Sequence, residues 1–432
     1  MKISEKKFNR IYNFLLLIVS IALPFGKLSN FAIILFVSFN LIFFKRPELN
    51  KQIWKIALLM LIPLLLEVMF FWNNDELDRG IKSLLKYISL LVFAFFIIGH
   101  YKRVNVNLLL RRYAVSMTII LLLLEIRFVI VFQEYMQKYL NGIDLWEVGY
   151  VFTQSFKVHA PAINFQLVFV ACVNLYFLIQ TFIRKSSIKK KIINLSLVLV
   201  ASMHVLVVNT RVSLLCLLLC FMVMIFYEIK KKLNFKKALF ATFGVLLMLL
   251  TIITITVYSN PFMIEKYTTF TFSNLDKVGK LDEMEHPEIY AYNGLVNRLS
   301  IWKSALELAN ENCLVGVGAS DANQDLIKYF KDTNQFFLAK YEFATHNQYL
   351  NYYLKFGFIG LILTVCYILG QFYLGITLKN GLIIAFALLF SISNLTDDFL
   401  NRFDGIGFSG FFYSIFIVMH LKWYSNKLIS SD

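Results

Sequence analysis

Three side chains stand where their chemistry is out of place. Arg211, in Asn209-Thr210-Arg211, separates two apolar runs. Arg298 lies in Asn297-Arg298-Leu299-Ser300-Ile301-Trp302, and His346 opens His346-Asn347-Gln348-Tyr349-Leu350-Asn351. Each has an ordinary explanation: a snorkelling helix end for Arg211, a solvated helix charge for Arg298, a helix cap for His346. As a set they suit a phosphorylated ligand, because an arginine fork binds phosphate oxygens bidentately and keeps its charge. A histidine exchanges a proton near neutral pH. Two roles are open to His346: taking a proton from an attacking hydroxyl, or binding phosphate as imidazolium. Asp397, Asp398 and Asp404, with Arg402 among them, offer a base or a partner that orients His346; the alternative is a set of solvated turn residues. His159, in Lys157-Val158-His159-Ala160-Pro161, is a further candidate on the acceptor side. No Asp-x-Asp occurs in the long polar segment 259–351, and no His or Cys spacing suggests a metal, so none is expected.

The elements that must position these groups are membrane helices. The 432-residue chain is 58% hydrophobic, too apolar for a soluble domain of this size. Its apolar residues come in blocks close to the ~20 residues that span a ~30 Å hydrocarbon core. A bilayer leaves no solvent for backbone groups, so such blocks are helices. Runs near 11–28, 30–44, 54–72, 83–99, 113–132, 161–183, 192–208, 212–228, 238–258, 352–376, 381–395 and 407–422 predict about twelve transmembrane helices in an all-α polytopic protein. Glu67, Glu125 and Arg127 fall inside these runs, where each is expected to pair with another helix in a structural role.

The net charge of +16 is explained by its distribution. Clusters such as Lys45/Arg46/Lys51/Lys55, Arg184/Lys185/Lys189/Lys190/Lys191 and Lys230/Lys231/Lys232/Lys236/Lys237 fall between alternate pairs of runs, on the side of the N-terminus. Asp75, Glu76, Asp78, Asp144, Glu147, Asp397, Asp398 and Asp404 fall on the other. This is the positive-inside pattern; it places both termini in the cytoplasm and argues against a nucleic-acid partner. No small-residue cleavage site follows the first run, which is therefore expected to be an anchor.

One segment breaks the rhythm. Residues 259–351 are polar, lie outside, and divide the chain into 1–258 (spans 1–9), a loop of 259–351, and 352–432 (spans 10–12). Within the loop, Leu295, Leu299, Trp302, Leu306 and Ala309 make a helical stripe over 294–312, and Asp321–Lys331 predicts a second short helix. Acidic 276–288 is expected to be a mobile tip. The stripe needs something to cover, which makes the loop a lid over the mouth of the helical bundle.

Arg298-Leu299-Ser300-Ile301-Trp302-Lys303-Ser304-Ala305, then Val315-Gly316-Val317-Gly318, then His346-Asn347-Gln348-Tyr349-Leu350, then Lys355-Phe356-Gly357-Phe358-Ile359-Gly360-Leu361 resemble, in that order, the signature of the O-antigen ligase/polymerase family. Thr210-Arg211-Val212-Ser213 is similar to that family's Ser/Thr-Arg turn. The resemblance implies a GT-C-like helical membrane fold in the bacterial inner membrane. It implies a metal-independent, inverting glycosyltransferase without cofactor, acting at the periplasmic face. The donor it implies is a glycan on undecaprenyl diphosphate; the acceptor is the lipid A core for a ligase, or a second lipid-linked glycan for a polymerase. His346, Arg298 and Arg211 would then be catalytic, with Trp302, Asn347, His159, Arg402 and Asp398 binding diphosphate or glycan. The competing reading is a transporter or flippase of lipid-linked oligosaccharide, which would need a charged path through the membrane and no ordered external loop.

Overall fold

The computed structural model describes residues 3–141, 145–258, 272–290, 292 and 294–429. Asp144 and the first part of the expected loop, 259–271, lie outside the described residues. Every long element is a helix: α1 (Glu5–Ala22), α2 (Lys27–Ile42), α3 (Lys51–Met69), α4 (Leu77–Lys86), α5 (Ile88–Phe93), α6 (Val106–Val131), α7 (Gln133–Leu140), α8 (Leu145–Gln154), α9 (Ala160–Ile183), α10 (Ile188–Val208), α11 (Arg211–Lys230) and α12 (Phe235–Tyr258). After the polar segment come α13 (Pro287–Tyr290), α14 (Leu295–Glu311), α15 (Ala322–Asp332), α16 (Phe336–Lys340), α17 (Gln348–Thr377), α18 (Gly381–Thr396) and α19 (Phe403–Ile429).

Among the described residues, eight helical stretches are long and apolar enough to cross a membrane: α3, the stretch Leu77–Ile98 that includes α4 and α5, α6, α9, α10, α11, α17 and α19; α2 and α18 are shorter apolar helices. The first expected run was displaced. The helix begins at Glu5, capped by Ser4, whose side chain accepts from the Lys7 amide, and ends at Ala22 before the turn at Gly26, whose φ is +49°. Its basic first turns are thus helical. The centre of the bundle is α9, sheathed by α6, α10, α11 and α18, with α19 packed on α3 and α5. Phe169 of α9 meets Phe386, Phe408 and Phe412 at ring separations of 4.7–5.8 Å, so aromatic edges and faces fill this core.

The intramembrane charges divide. Glu125 of α6 accepts from His204 Nδ1 of α10 at 2.7 Å, as a pairing between helices requires. Arg127 does not follow the expectation: its side chain is exposed and makes no ion pair among the described residues. It stands within a turn of the end of α6, where a long side chain reaches an interface without a partner.

α17 is interrupted at Gly357, where φ is +64° and ψ −159°, a conformation open in practice to glycine alone. The break frees the carbonyls of Leu354 and Lys355, and the turn Val315–Gly318 takes them: Val317 N–H donates to Leu354 O at 2.9 Å and Gly318 N–H to Lys355 O at 3.2 Å. Phe358 N–H donates in turn to Cys313 O at 2.8 Å. Asn73 Nδ2 donates to Gly316 O at 3.1 Å, and Asp321 accepts from the Asp75 amide at 3.0 Å, which fastens the same turn to the α3–α4 connection.

The loop helices have a core of their own, built on Val296, Ile301, Ala305, Leu308, Leu326, Phe330 and Phe337. The expected stripe on α14 holds in part: Ala309 is buried and Trp302 packs against this core, but Leu306 is exposed, and Val296, Ser300, Ile301, Ser304 and Ala305 make up most of the buried face. Small residues mark the close approach here, and a pattern read from large apolar residues alone misses it. The acidic segment is also not a free tip. Leu281 is buried, Asp282 accepts from the Phe337 amide at 2.8 Å, and the Gly279 amide donates to Ser300 Oγ at 2.9 Å.

Candidate functional site

Four chain segments meet at one end of the bundle. The first is the turn between α10 and α11. Asn209 takes a left-handed conformation there, φ +54°, which reverses the chain within two residues and sets Arg211 at the first position of α11. Asn164 of α9 donates to Thr210 Oγ1 at 2.8 Å, and that hydroxyl donates to Ser213 at 2.7 Å, so the turn is anchored in the bundle. α8 lies directly on it, because a Cβ at Gly149 would stand 2.9 Å from Val207 O. This approach brings Tyr150 into the field of Arg211, Arg298 and Asp397. Burial raises the Tyr150 phenol, and the two guanidiniums pull it back.

The second segment is α14. Arg298 donates to the carbonyl of Thr396, the last residue of α18. A cation at a helix C-terminus meets the negative end of the helix dipole and its unpaired carbonyls. Burial lowers the basicity of Arg298, while Asp397, Tyr150 and Asp398 offset that loss; the group stays a cation. Trp302, one turn further on, donates its indole N–H to Thr345 O at 2.9 Å.

The third segment is the entry to α17. His346 has φ +46°, a conformation uncommon for a residue with a Cβ. Asn347 explains how it is held: its side-chain oxygen accepts from the amides of Tyr349 and Leu350 at 3.1 and 3.2 Å and caps the helix. The polar atoms of Asn347 and Trp302 named here are therefore engaged by the protein itself, and both residues support the His346 backbone from either side.

The fourth segment is 397–402. Asp397 Oδ2 accepts from Arg402 Nη2 at 2.7 Å, and Asp397 Oδ1 lies 3.8 Å from His346 Nδ1. Asp398 Oδ1 lies 4.0 Å from the same nitrogen. Arg402 also reaches His159 Nδ1 at 3.5 Å and Asp404 at 3.9 Å. The two carboxyls are pushed in opposite directions. Burial works against ionising Asp397, but His346 and Arg402 outweigh it and hold this carboxyl well below the usual range. Burial and the neighbouring Asp397 both raise Asp398, because two adjacent carboxylates resist ionising together.

His346, Asp397 and Asp398 bring one ring nitrogen and two carboxylate oxygens within 4.8 Å of one another, a donor set of the kind divalent cations use. Residues about fifty apart assemble it, so no sequence spacing announced it. The same carboxylates already face Arg402 and Arg298, which supply positive charge from the chain itself. Of the residues singled out in the sequence, His346, Arg298, Arg402, Asp398 and His159 join through contacts or electrostatic fields, and Arg211 faces them across Tyr150. Tyr150, Asn164 and the Thr396 carbonyl carried no sequence signal: a tyrosine, an asparagine and a backbone oxygen break no pattern.

The fold and this cation-rich site define a polytopic all-α membrane protein with its polar chemistry gathered at one end of the bundle. Residues 195–365 match the model of the O-antigen ligase family, so this segment is similar to that family. The matched segment holds Arg211, Arg298, Trp302, His346 and Asn347. No curated protein matches the chain.

Proposed function

We propose that this protein transfers a glycan from undecaprenyl diphosphate to an acceptor hydroxyl at the periplasmic face of the bacterial inner membrane, without a metal and with inversion. The observation that carries this reading is the meeting of Arg298, His346, Asp397 and Arg402 at one end of the bundle, together with the O-antigen ligase match that spans two of them. In the proposed orientation both termini are cytoplasmic and this end faces out.

Breaking the bond between sugar and diphosphate places negative charge on the departing phosphate oxygens. Arg211 and Arg298, fixed by the α10–α11 turn and by the Thr396 carbonyl, would stabilise that charge without reorganising. His346 would accept the proton of the attacking hydroxyl. The carboxylates of Asp397 and Asp398 beside Nδ1 would stabilise the imidazolium so formed, while Arg402 keeps Asp397 ionised. His159 would stand on the acceptor side, through Arg402.

The test uses purified protein in detergent with EDTA and undecaprenyl-diphosphate-linked repeat units, with and without lipid A core. Glycan on the core identifies a ligase; a ladder of longer lipid-linked glycans identifies a polymerase. Transport of labelled lipid-linked sugar across a liposome membrane, with neither product formed, would replace this reading with a flippase.

A further inference from the structure

Lys355 is buried in the first part of α17, just before the break at Gly357, and no step proposed above uses it. An ammonium in such a place requires a reason, since its desolvation costs several kcal/mol unless it is paired. Two groups meet it. Glu67 of α3, also buried, supplies the opposite charge within electrostatic reach. Asn401 supplies a side-chain oxygen 2.6 Å from Lys355 Nζ.

The second contact has a directional consequence. An ammonium only donates, so Asn401 must turn its amide oxygen toward Lys355. Its NH2 then points the other way, where it donates to Asp398 Oδ2 at 3.0 Å. That leaves Asp398 Oδ1 as the oxygen 4.0 Å from His346 Nδ1. The backbone holds Asn401 in place: Leu400 N–H donates to Gln348 Oε1 at 2.7 Å, and Leu400 O accepts from Tyr87 at 2.7 Å. Without the cation the amide is free to flip and present an oxygen to a carboxylate, a repulsive arrangement.

We infer that Lys355 is a positioning residue that acts through Asn401, orienting the Asp398 carboxylate that faces His346, with Glu67 as the counter-charge that lets the ammonium stand there. This rests on the transferase reading. Lys355 touches no substrate in it, so its loss falls on turnover and not on donor binding.

The experiment measures kcat and KM for glycan transfer in the full-length protein and in Lys355→Met, Lys355→Arg, Asn401→Leu and Lys355→Met/Asn401→Leu. Lys355→Met and Asn401→Leu are each expected to lower kcat about tenfold with KM within about twofold, an effect of orientation and not of uniform binding. Lys355→Arg, which can only donate, recovers most of it. The double variant falls no further than either single variant, because the two residues act in series. Should Lys355→Met alone fail to accumulate, Lys355→Met/Glu67→Gln removes both buried charges and is expected to show the same loss. Multiplying effects in the double variant, or an unchanged kcat in Asn401→Leu, would overturn the inference. A native protein that transfers nothing would instead sink the transferase reading itself.

Discussion

Two of the polar clusters in this apolar molecule are built differently. In the middle of the bundle, His204 gives one ring nitrogen to Glu125 at 2.7 Å and sets the other 3.1 Å from Thr118 O, while Asn174 donates to Thr118 Oγ1 at 3.0 Å. His204 is 1% exposed, and the cluster joins α6, α9 and α10 with its hydrogen-bonding capacity turned inward. At the end of the bundle, His346 has 37% of its side chain exposed, stands on a backbone with φ +46°, and shares two carboxyls with two guanidiniums. The first cluster satisfies itself and binds helices together. The second keeps an open side and carries strain and like charges that a purely structural cluster would shed. On the proposed reading, charge left accessible to solvent, and not buried charge alone, marks the chemistry.

The contrast is sharpest in activity. Arg298→Ala removes a preplaced guanidinium and is expected to lower transfer by about 10²–10³-fold, as loss of one transition-state donor commonly does, while thermal stability in detergent changes little. His204→Ala should do the reverse. It leaves Glu125 without its partner and is expected to cost on the order of 1–3 kcal/mol of stability, read as a lower melting temperature with kcat of the folded fraction intact. A His204 variant that folds normally but cannot transfer would erase the distinction between the clusters.

Gly357→Ala lies between the two cases. Its φ of +64° and the 2.6 Å approach of a new Cβ to Cys313 O predict a loss of about 1–3 kcal/mol. Melting temperature and transfer should fall together, because the turn that docks the loop helices against α17 is displaced. The smallest effect is expected at Asp398. Its carboxyl is raised in the folded protein, so the protonated form favours folding; that contribution is complete below the unfolded value and lost as pH rises through the folded one. Asp398→Asn, neutral throughout, should therefore melt a few degrees above the native protein near neutral pH, with the difference closing below roughly pH 4. Transfer should fall in the same variant. Scanning calorimetry at several pH values beside the transfer assay checks both signs.

What could be read from sequence follows the same division. Helices announce themselves because a bilayer demands long apolar runs, and Arg211, Arg298 and His346 announce themselves by breaking those runs or the charge rule. Much of the buried face of α14 did not, because Ser300, Ser304 and Ala305 pack closely without being large. The break in α17 is hidden, since Gly357 sits in an apolar run where glycine is ordinary and only its φ reveals the interruption. Tyr150 is one of 22 tyrosines with nothing local to set it apart. The links from Lys355 through Asn401 to Asp398 depend on which atom of an amide faces which partner, a property of three dimensions alone.

The most direct measurement is a double-mutant cycle in glycan transfer between Arg298 and His346, the guanidinium on α14 and the ring at the start of α17. If both serve one transition state, either single alanine variant removes most of the rate, and the Arg298→Ala/His346→Ala protein is scarcely slower than the worse of the two. Losses that simply multiply would mean that the two residues act at separate places, and full activity in either single variant would contradict a shared site outright.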